Sequence, residues 1–209
     1  MPVDDQPMSP PTVHRNPTVV AIGVASLLSD AGHEMATAAL PGFLRSLAIP
    51  AVALGAIEGM ADAALSVSKV AGGAVADRPG TERRRLTAAG YALTAMGHGS
   101  FALASVWPAV AVARAVSWIA RGGKAPARDS LLAASVAPSQ LGRAFGLERA
   151  MDSIGAIAGP LLAAPVLVAV GYRWLFAVSM VPGLLAAIAV LAFVREAPRA
   201  VRVTTEPVA

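Results

Sequence analysis

A charged hairpin joining two apolar runs constrains this chain more than any other stretch. The run ending at Ala76 is followed by Asp77-Arg78-Pro79-Gly80-Thr81-Glu82 and then by Arg83, Arg84 and Arg85; a second apolar run begins at Leu86. Each run approaches or exceeds the ~20 residues that cross a bilayer at 1.5 Å rise per residue. A short arginine-rich loop between two such runs is one retained on the cytoplasmic face.

Composition points the same way. The chain has 209 residues, 56% hydrophobic and only 14% charged, against roughly 25% charged in an ordinary soluble domain. The formal net charge is +4 and aromatics are 5%. The basic excess sits mostly in loops and the tail, which suits retention at an anionic membrane face rather than nucleic-acid binding, and no stacking platform or recognition motif is present. With no cysteine, a disulfide, a thiolate zinc site and a cysteine nucleophile are all excluded. Residues 1–17 are Pro-rich and lack both a basic n-region and a cleavable apolar core, so they are not a secretory signal and are expected to be disordered.

Six segments can span: Val19 to Leu44, the stretch after Pro50 to Ala76, Leu86 to Val106, Pro108 to Val136, Leu141 to Val170, and Trp174 to Val194. The third and sixth are the cleanest and are expected to face lipid. Arginines divide the connections into two groups. The N-terminus, the loops after the second and fourth segments, and the tail hold Arg15, Arg78, Arg83, Arg84, Arg85, Arg143, Arg195, Arg199 and Arg202; the others hold only Arg45 and Arg173. Both termini are therefore expected to be cytoplasmic, with Trp107, Tyr172 and Trp174 at the outer interface. Gly55-x-x-x-Gly59 and Gly155-x-x-x-Gly159-Pro160 place small residues on one helical face, where close helix approach is possible. Pro160 is expected to kink the fifth segment.

The internal charges carry the chemistry. Asp30 and Glu34 share a face of the first segment, Glu58 and Asp62 a face of the second with Lys69 nearly in line, and Glu148 and Asp152 a face of the fifth beside Arg149. Ionisable groups at membrane depth cost ~2.5–3.5 kcal/mol each on insertion scales, so they face an aqueous cavity or one another. They can carry protons or form structural ion pairs. Arg114, Arg121 and Arg128 recur every seven residues in the fourth segment, with Lys124 between them. At ~100° per residue these four form a one-sided basic stripe. It lines a cavity or meets carboxylates of the first, second and fifth segments. Snorkelling to headgroups is open to Arg128 but not to the deeper Arg114, so Arg114→Ala is expected to be the more damaging change. His33 and His98 are candidate proton carriers or metal ligands, although the metal signal is weak, and no metal or cofactor is expected. No phosphate loop, nucleophile elbow or H-E-x-x-H is present, so neither ATP-driven transport nor enzymatic catalysis is indicated.

Gly73-Ala-Val-Ala-Asp77-Arg78-Pro-Gly80 followed by arginines resembles the loop between the second and third helices of the major facilitator superfamily. Ser29-Asp30-Ala-Gly-His-Glu34-Met35 with Leu40-Pro41-Gly42-Phe43-Leu44 is similar to the opening helix of a prokaryotic branch of that family. The same holds for Ile57-Glu58-Gly59, for Arg114 through Gly122 with Lys124, Pro126, Arg128, Asp129 and Leu131, and for Arg143-Ala-Phe-Gly146, Arg149-Ala-Met-Asp152 and Gly159-Pro160. The resemblance implies that Asp77 belongs to a gating motif with Gly73, Arg78, Gly80 and Asp129, and that Arg114 is linked to proton coupling. The intervening Thr81-Glu82 departs from the family's wording.

The expected fold is thus all-α: a six-helix membrane bundle over residues 18–195, equivalent to one half of a facilitator, with a cytoplasmic tail from residue 196. The expected function is half of a proton-coupled secondary transporter for a small solute or drug. A second six-helix half or a second copy of the chain would complete it. The alternative is a non-transporting membrane subunit or an inactive fragment.

Overall fold

The structure, a computed structural model, describes residues 13–196. Five α-helices carry it: α1 (Pro17–Ser46), α2 (Ala51–Ala76), α3 (Arg83–Gly99), α4 (Trp107–Ala134) and α5 (Leu141–Phe193), with 3-10 turns at Val13–Arg15, Ser100–Leu103 and Pro138–Gln140. The tail arginines Arg199 and Arg202 lie outside the described residues. Of the N-terminal segment expected to be disordered, residues 1–12 also lie outside; residues 13–17 are folded. Val13 is buried in the core. Asn16 caps α1, its Oδ1 accepting from Thr18 N at 3.0 Å and Val19 N at 3.3 Å, with Pro17 in the first-turn position that needs no N–H.

α5 contains two expected spans. Its backbone is helical throughout except at Gly171, whose φ of 76° and ψ of 175° divide it into a first arm, 141–170, and a second, 172–193. Only glycine adopts that conformation without steric penalty. The helix continues through Pro160 with helical dihedral angles; the break falls at Gly171, in the gap expected between the fifth and sixth segments. α3 ends at Gly99, short of the expected Val106. Gly97 and Gly99 weaken the helix, and Ser100 Oγ turns back to Gly97 O at 2.7 Å, which tightens the chain into the 3-10 turn.

Contacts fix the directions of the helices. Met151 meets Gly23, Gly155 meets Leu27 and Gly159 meets Ala31, so α1 and the first arm run parallel; Tyr172 meets Gly42 and Ser179 meets Gly32, so the second arm runs back. Ser26 pairs with Tyr91 and His33 with His98, which makes α3 parallel to α1. Asp30 with Arg121 and Thr37 with Arg114 make α4 antiparallel to α1. Glu58 with Arg114 and Gly72 with Gly123 make α2 parallel to α4. The six segments therefore alternate in direction, as expected.

The alternation gathers the arginine-rich connections at one rim. Asn16 Nδ2 donates to Ser135 O at 2.6 Å, Arg195 N donates to Thr18 Oγ1 at 3.3 Å, and Arg83 N and Arg84 N donate to the Glu196 carboxylate at 3.1 and 3.2 Å. At the opposite rim Arg173 bonds Ala102 O. Side-chain burial is inverted relative to a water-soluble bundle. Glu148 and Arg114 are 0% and 1% exposed, whereas Val52, Val70, Leu103 and Val168 are 77% or more exposed. Apolar surface of that extent is stable only against lipid or another protein surface. By length and hydropathy alone, among the described residues, Ala51–Ala76 and the long Pro138–Phe193 stretch pass as spans; α1 and α4 carry internal charges, and α3 opens on three arginines.

Small residues set helix proximity. A Cβ on Gly72 would collide with the Gly123 backbone, one on Gly122 with Ser68 and Leu65 O, and ones on Gly155 and Gly159 with the backbone of α1. Gly155 and Gly159 thus pack as expected. Gly55 and Gly59 do not: nothing lies within 4 Å of a Cβ built on either, because that face of α2 points away from the bundle.

Candidate functional site

The basic stripe of α4 runs through the middle of the bundle, and each of its arginines meets a carboxylate from a different helix. Arg114 Nη2 donates to Glu58 Oε2 of α2 at 2.9 Å. Arg121 grips Asp30 of α1 with two bonds, 2.6 and 3.0 Å. Arg128 Nη1 lies 2.9 Å from Glu148 Oε1 of α5, and its Nε and Nη2 bond the neighbouring Asp129 at 3.0 and 2.9 Å. A guanidinium forks onto carboxylates with directional, charge-assisted bonds, which lets one stripe hold three partners in fixed register. Arg128 is buried rather than snorkelling.

Lys124 differs from its neighbours. It is buried, and its Nζ sits 3.8 Å from the centre of the Tyr91 ring, a cation–π contact. No ion pair of Lys124 is found among the described residues. Tyr91 Oη is 3.1 Å from Ser26 Oγ, and Ser26 Oγ donates to Glu148 Oε1 at 2.8 Å. α3, expected to face lipid, therefore lends one whole face to the polar interior through Tyr91, Thr94 and His98.

A cavity of about 560 Å³ opens beside this network. Asp30, Arg121, Lys124, Arg128 and Asp129 line it together with Asp152 and Lys69. It occupies the half of the bundle nearer the arginine-rich rim. Of the residues expected at a cavity, Arg114 and Glu58 form a buried-to-half-buried pair beyond its lining, and Glu34 stands beside His33, with Glu34 Oε1 3.6 Å from His33 Nε2. Asp62 is exposed one turn after the half-buried Glu58 on α2, with no side-chain ion pair among the described residues.

Above Arg121, towards the rim that carries Arg173, two histidines meet. His33 Nδ1 lies 3.1 Å from His98 Nε2, and His98 Nε2 lies 3.3 Å from Arg114 Nη1. Trp118 covers the group: its ring centre is 4.6 Å from that of His33 and 4.5 Å from the Arg114 guanidinium carbon. Among the described residues no cluster of three or more His, Asp or Glu is arranged to hold a metal.

The hairpin after α2 is built from its own polar groups. Thr81 Oγ1 donates to Val75 O at 3.0 Å and Arg83 Nε to Ala76 O at 3.2 Å. Both reinforce the last turn of α2, where Val75 O also accepts from Arg78 N at 3.2 Å. Thr81 thus has a capping role in the wording that departs from the family's. Gly80 turns the chain at φ 79°. Asp77 is exposed and pairs with Arg83 at 3.4 Å. Gly73 packs near Pro126 of α4, 3.9 Å from a built Cβ.

Sequence reasoning did not single out Ser26, Tyr91, Thr37 or Trp118. Ser26 lies one helical turn before Asp30, and Tyr91 two turns before His98, so their faces were legible. Their partners, on helices far away in sequence, were not.

The family model described as Major Facilitator Superfamily matches residues 22–208. The chain belongs to the major facilitator superfamily. As a member it is a multi-pass membrane protein. It is 33% identical over 189 residues to an uncharacterized protein of Mycobacterium tuberculosis, a match covering 87% of this chain and 44% of that protein. It is 26% identical over 182 residues to an uncharacterized MFS-type transporter of Methanocaldococcus jannaschii, covering 86% of this chain and 45% of the relative. Among solved structures, a bacterial homolog of the human lysosomal transporter Spinster, inward-facing and occupied, superposes with a TM-score of 0.75 at 16% identity, covering 87% of this chain and 44% of that one. That likeness concerns the facilitator fold. The chain thus spans just under half the length of these three proteins.

Proposed function

We propose that this six-segment unit is one half of a secondary transporter that moves a small solute across the cytoplasmic membrane in exchange or symport with protons. The arginine-rich rim faces the cytoplasm. The other half is a second six-helix unit, in a longer polypeptide, on another chain or as a second copy of this one. The observation that carries the reading is the ionic network of α4. Three arginines are each bonded to a carboxylate on a different helix, next to a cavity of about 560 Å³ that reaches Asp30, Arg121 and Lys124. Protonating such a carboxylate releases its arginine. A single proton can therefore loosen α4 from one neighbour, which is the kind of bistable contact that alternating access requires.

The test is transport by the assembled carrier in sealed vesicles under an imposed pH gradient. Asp30→Asn keeps the shape and removes the charge, so it should abolish proton movement driven by solute while membrane insertion is retained. Unchanged coupling in Asp30→Asn would reduce the Arg121–Asp30 pair to packing. Because the chain has no cysteine, Asp77→Cys with Gln140→Cys can report assembly. An oxidised dimer marks a pair of copies, and cross-linking only to a co-expressed six-helix partner marks a heterodimer.

A further inference from the structure

The bonds around the two buried histidines determine where their protons sit. Thr94 O is 2.9 Å from His98 Nδ1. A carbonyl can only accept, so Nδ1 carries a hydrogen. On the other side of the ring, Arg114 Nη1 approaches His98 Nε2 at 3.3 Å. A guanidinium can only donate, so Nε2 is a bare lone pair. His98 is therefore neutral with its hydrogen on Nδ1, fixed from both sides. His33 Nδ1 faces the same lone pair at 3.1 Å, and that contact is a hydrogen bond only if His33 Nδ1 also carries a hydrogen. The remaining nitrogen, His33 Nε2, is then bare in the neutral ring. It points to Glu34 Oε1 at 3.6 Å. A lone pair facing a carboxylate oxygen is repulsive, and one proton between them makes the contact attractive.

We propose that Glu34 and His33 share one exchangeable proton, at a site whose direction is set by the Thr94–His98–His33 chain. The inference rests on the proton-linked reading above and assigns the proton a place. Glu34 takes it from water: its side chain is 31% exposed, whereas that of His33 is 3% exposed. The new O–H then donates to His33 Nε2, and a small rotation of Glu34 shortens the 3.6 Å separation to bonding distance. On release the O–H bond breaks and the proton returns to water, leaving the carboxylate. His98 keeps its hydrogen on Nδ1 throughout the cycle and is a positioning residue. The charged groups around the site are Asp30 and Glu34 on α1, Glu58 on α2, and Arg114, Arg121 and Lys124 on α4, with Asp152 of α5 next to Asp30. With Glu34 ionised, four carboxylates stand near the three cations; taking up the proton removes one negative charge from α1, which weakens its hold on the basic face of α4.

The chain holds three histidines, which makes ring-nitrogen magnetic resonance a direct test. The full chain, labelled with ¹⁵N-histidine, is placed in lipid bilayers, and His33 and His98 are assigned by single substitution. Free histidine in the same buffer serves as the solvent reference, and the His14 signal is assigned separately. Both buried rings should show hydrogen on Nδ1, the minor form in water, across about pH 5 to 9, the range over which a histidine–carboxylate site is read. On acidification His33 Nε2 alone should shift to the hydrogen-bonded position, without His98 moving. In Glu34→Gln, where the amide donates permanently, the shift should be present at every pH. Hydrogen on Nε2 of either ring would overturn the proposal. So would a His33 Nε2 that ignores pH in the unsubstituted chain, or one that still responds in Glu34→Gln while His98 keeps its native signal. The tautomers are read in the unsubstituted chain, so the result stands even if the variant misfolds. A responsive His33 with proton coupling absent in the assembled carrier would retire the proton-linked reading and leave this site standing. Coupling lost in Glu34→Gln with silent ring nitrogens would do the reverse.

Discussion

Two regions of the molecule are held by the same chemical pair, arginine with a carboxylate, in opposite surroundings. Along α4, Arg128 with Glu148 at 2.9 Å and Arg114 with Glu58 at 2.9 Å lie inside the bundle. In the hairpin after α2, Arg85 with Glu82 at 2.8 Å and Arg83 with Asp77 at 3.4 Å lie at the surface. Separation does not distinguish them; the surface Arg85–Glu82 pair is as short as either buried one. What differs is the state left behind when one partner is removed. At the surface, water replaces it. In the interior nothing does, and an isolated charge is stranded in low dielectric. The interior pairs therefore constrain which helices stay together, while the surface pairs only bias a loop.

Three substitution experiments can break or sharpen that contrast, each read as thermal stability in detergent. The largest effect should come from Arg128→Ala. It leaves the fully buried Glu148 with Ser26 and a 3.4 Å approach from Arg149, and should cost ~3–5 kcal/mol. Replacing both members together, with Arg128→Met and Glu148→Leu, should recover most of that loss, since it leaves no stranded charge. A double variant as unstable as the single would mean that packing, not charge, makes the difference.

Arg114→Ala should come next. Glu58, the partner it abandons, has a side chain 34% exposed, so water relieves part of the penalty and the loss should fall clearly below that of Arg128→Ala. Depth along the sequence suggested the opposite order. A larger loss for Arg114→Ala would restore the depth argument. The smallest effect should be Arg83→Ala, which removes an exposed pair worth ~0–1 kcal/mol together with one bond to the Ala76 carbonyl. A loss there comparable to Arg114→Ala would make the hairpin a structural element equal to the core.

Much of this architecture is legible in the sequence. The apolar runs give the spans, and Ala76 is the end of α2 in both reading and structure. The arginine count divides the connections into the same two rims that the helix contacts define. The seven-residue spacing of Arg114, Arg121 and Arg128 gives the stripe. Which carboxylate each arginine meets was not legible, because Asp30, Glu58 and Glu148 compete on equal terms until the crossing geometry is known. Lys124 shares the stripe yet meets the Tyr91 ring, and nothing in its spacing says so. The two small-residue pairs show the same limit. Gly155 and Gly159 touch α1, and Gly55 and Gly59 touch nothing, although they read alike. Small residues permit an approach; the neighbouring helices decide whether one occurs.

Gly171 has a consequence on a larger scale than its own dihedral angles. An unbroken α5 of 53 residues would run ~80 Å, far beyond the ~30 Å hydrocarbon core of a bilayer. The positive φ at one residue turns the chain back, so that the second arm re-enters beside α1 and delivers Arg195 to Thr18 at the rim where the chain set out. One glycine thus sets the parity of the crossings. An even count puts both ends of the bundle on one side of the membrane, and an odd count would put whatever polypeptide follows on the other.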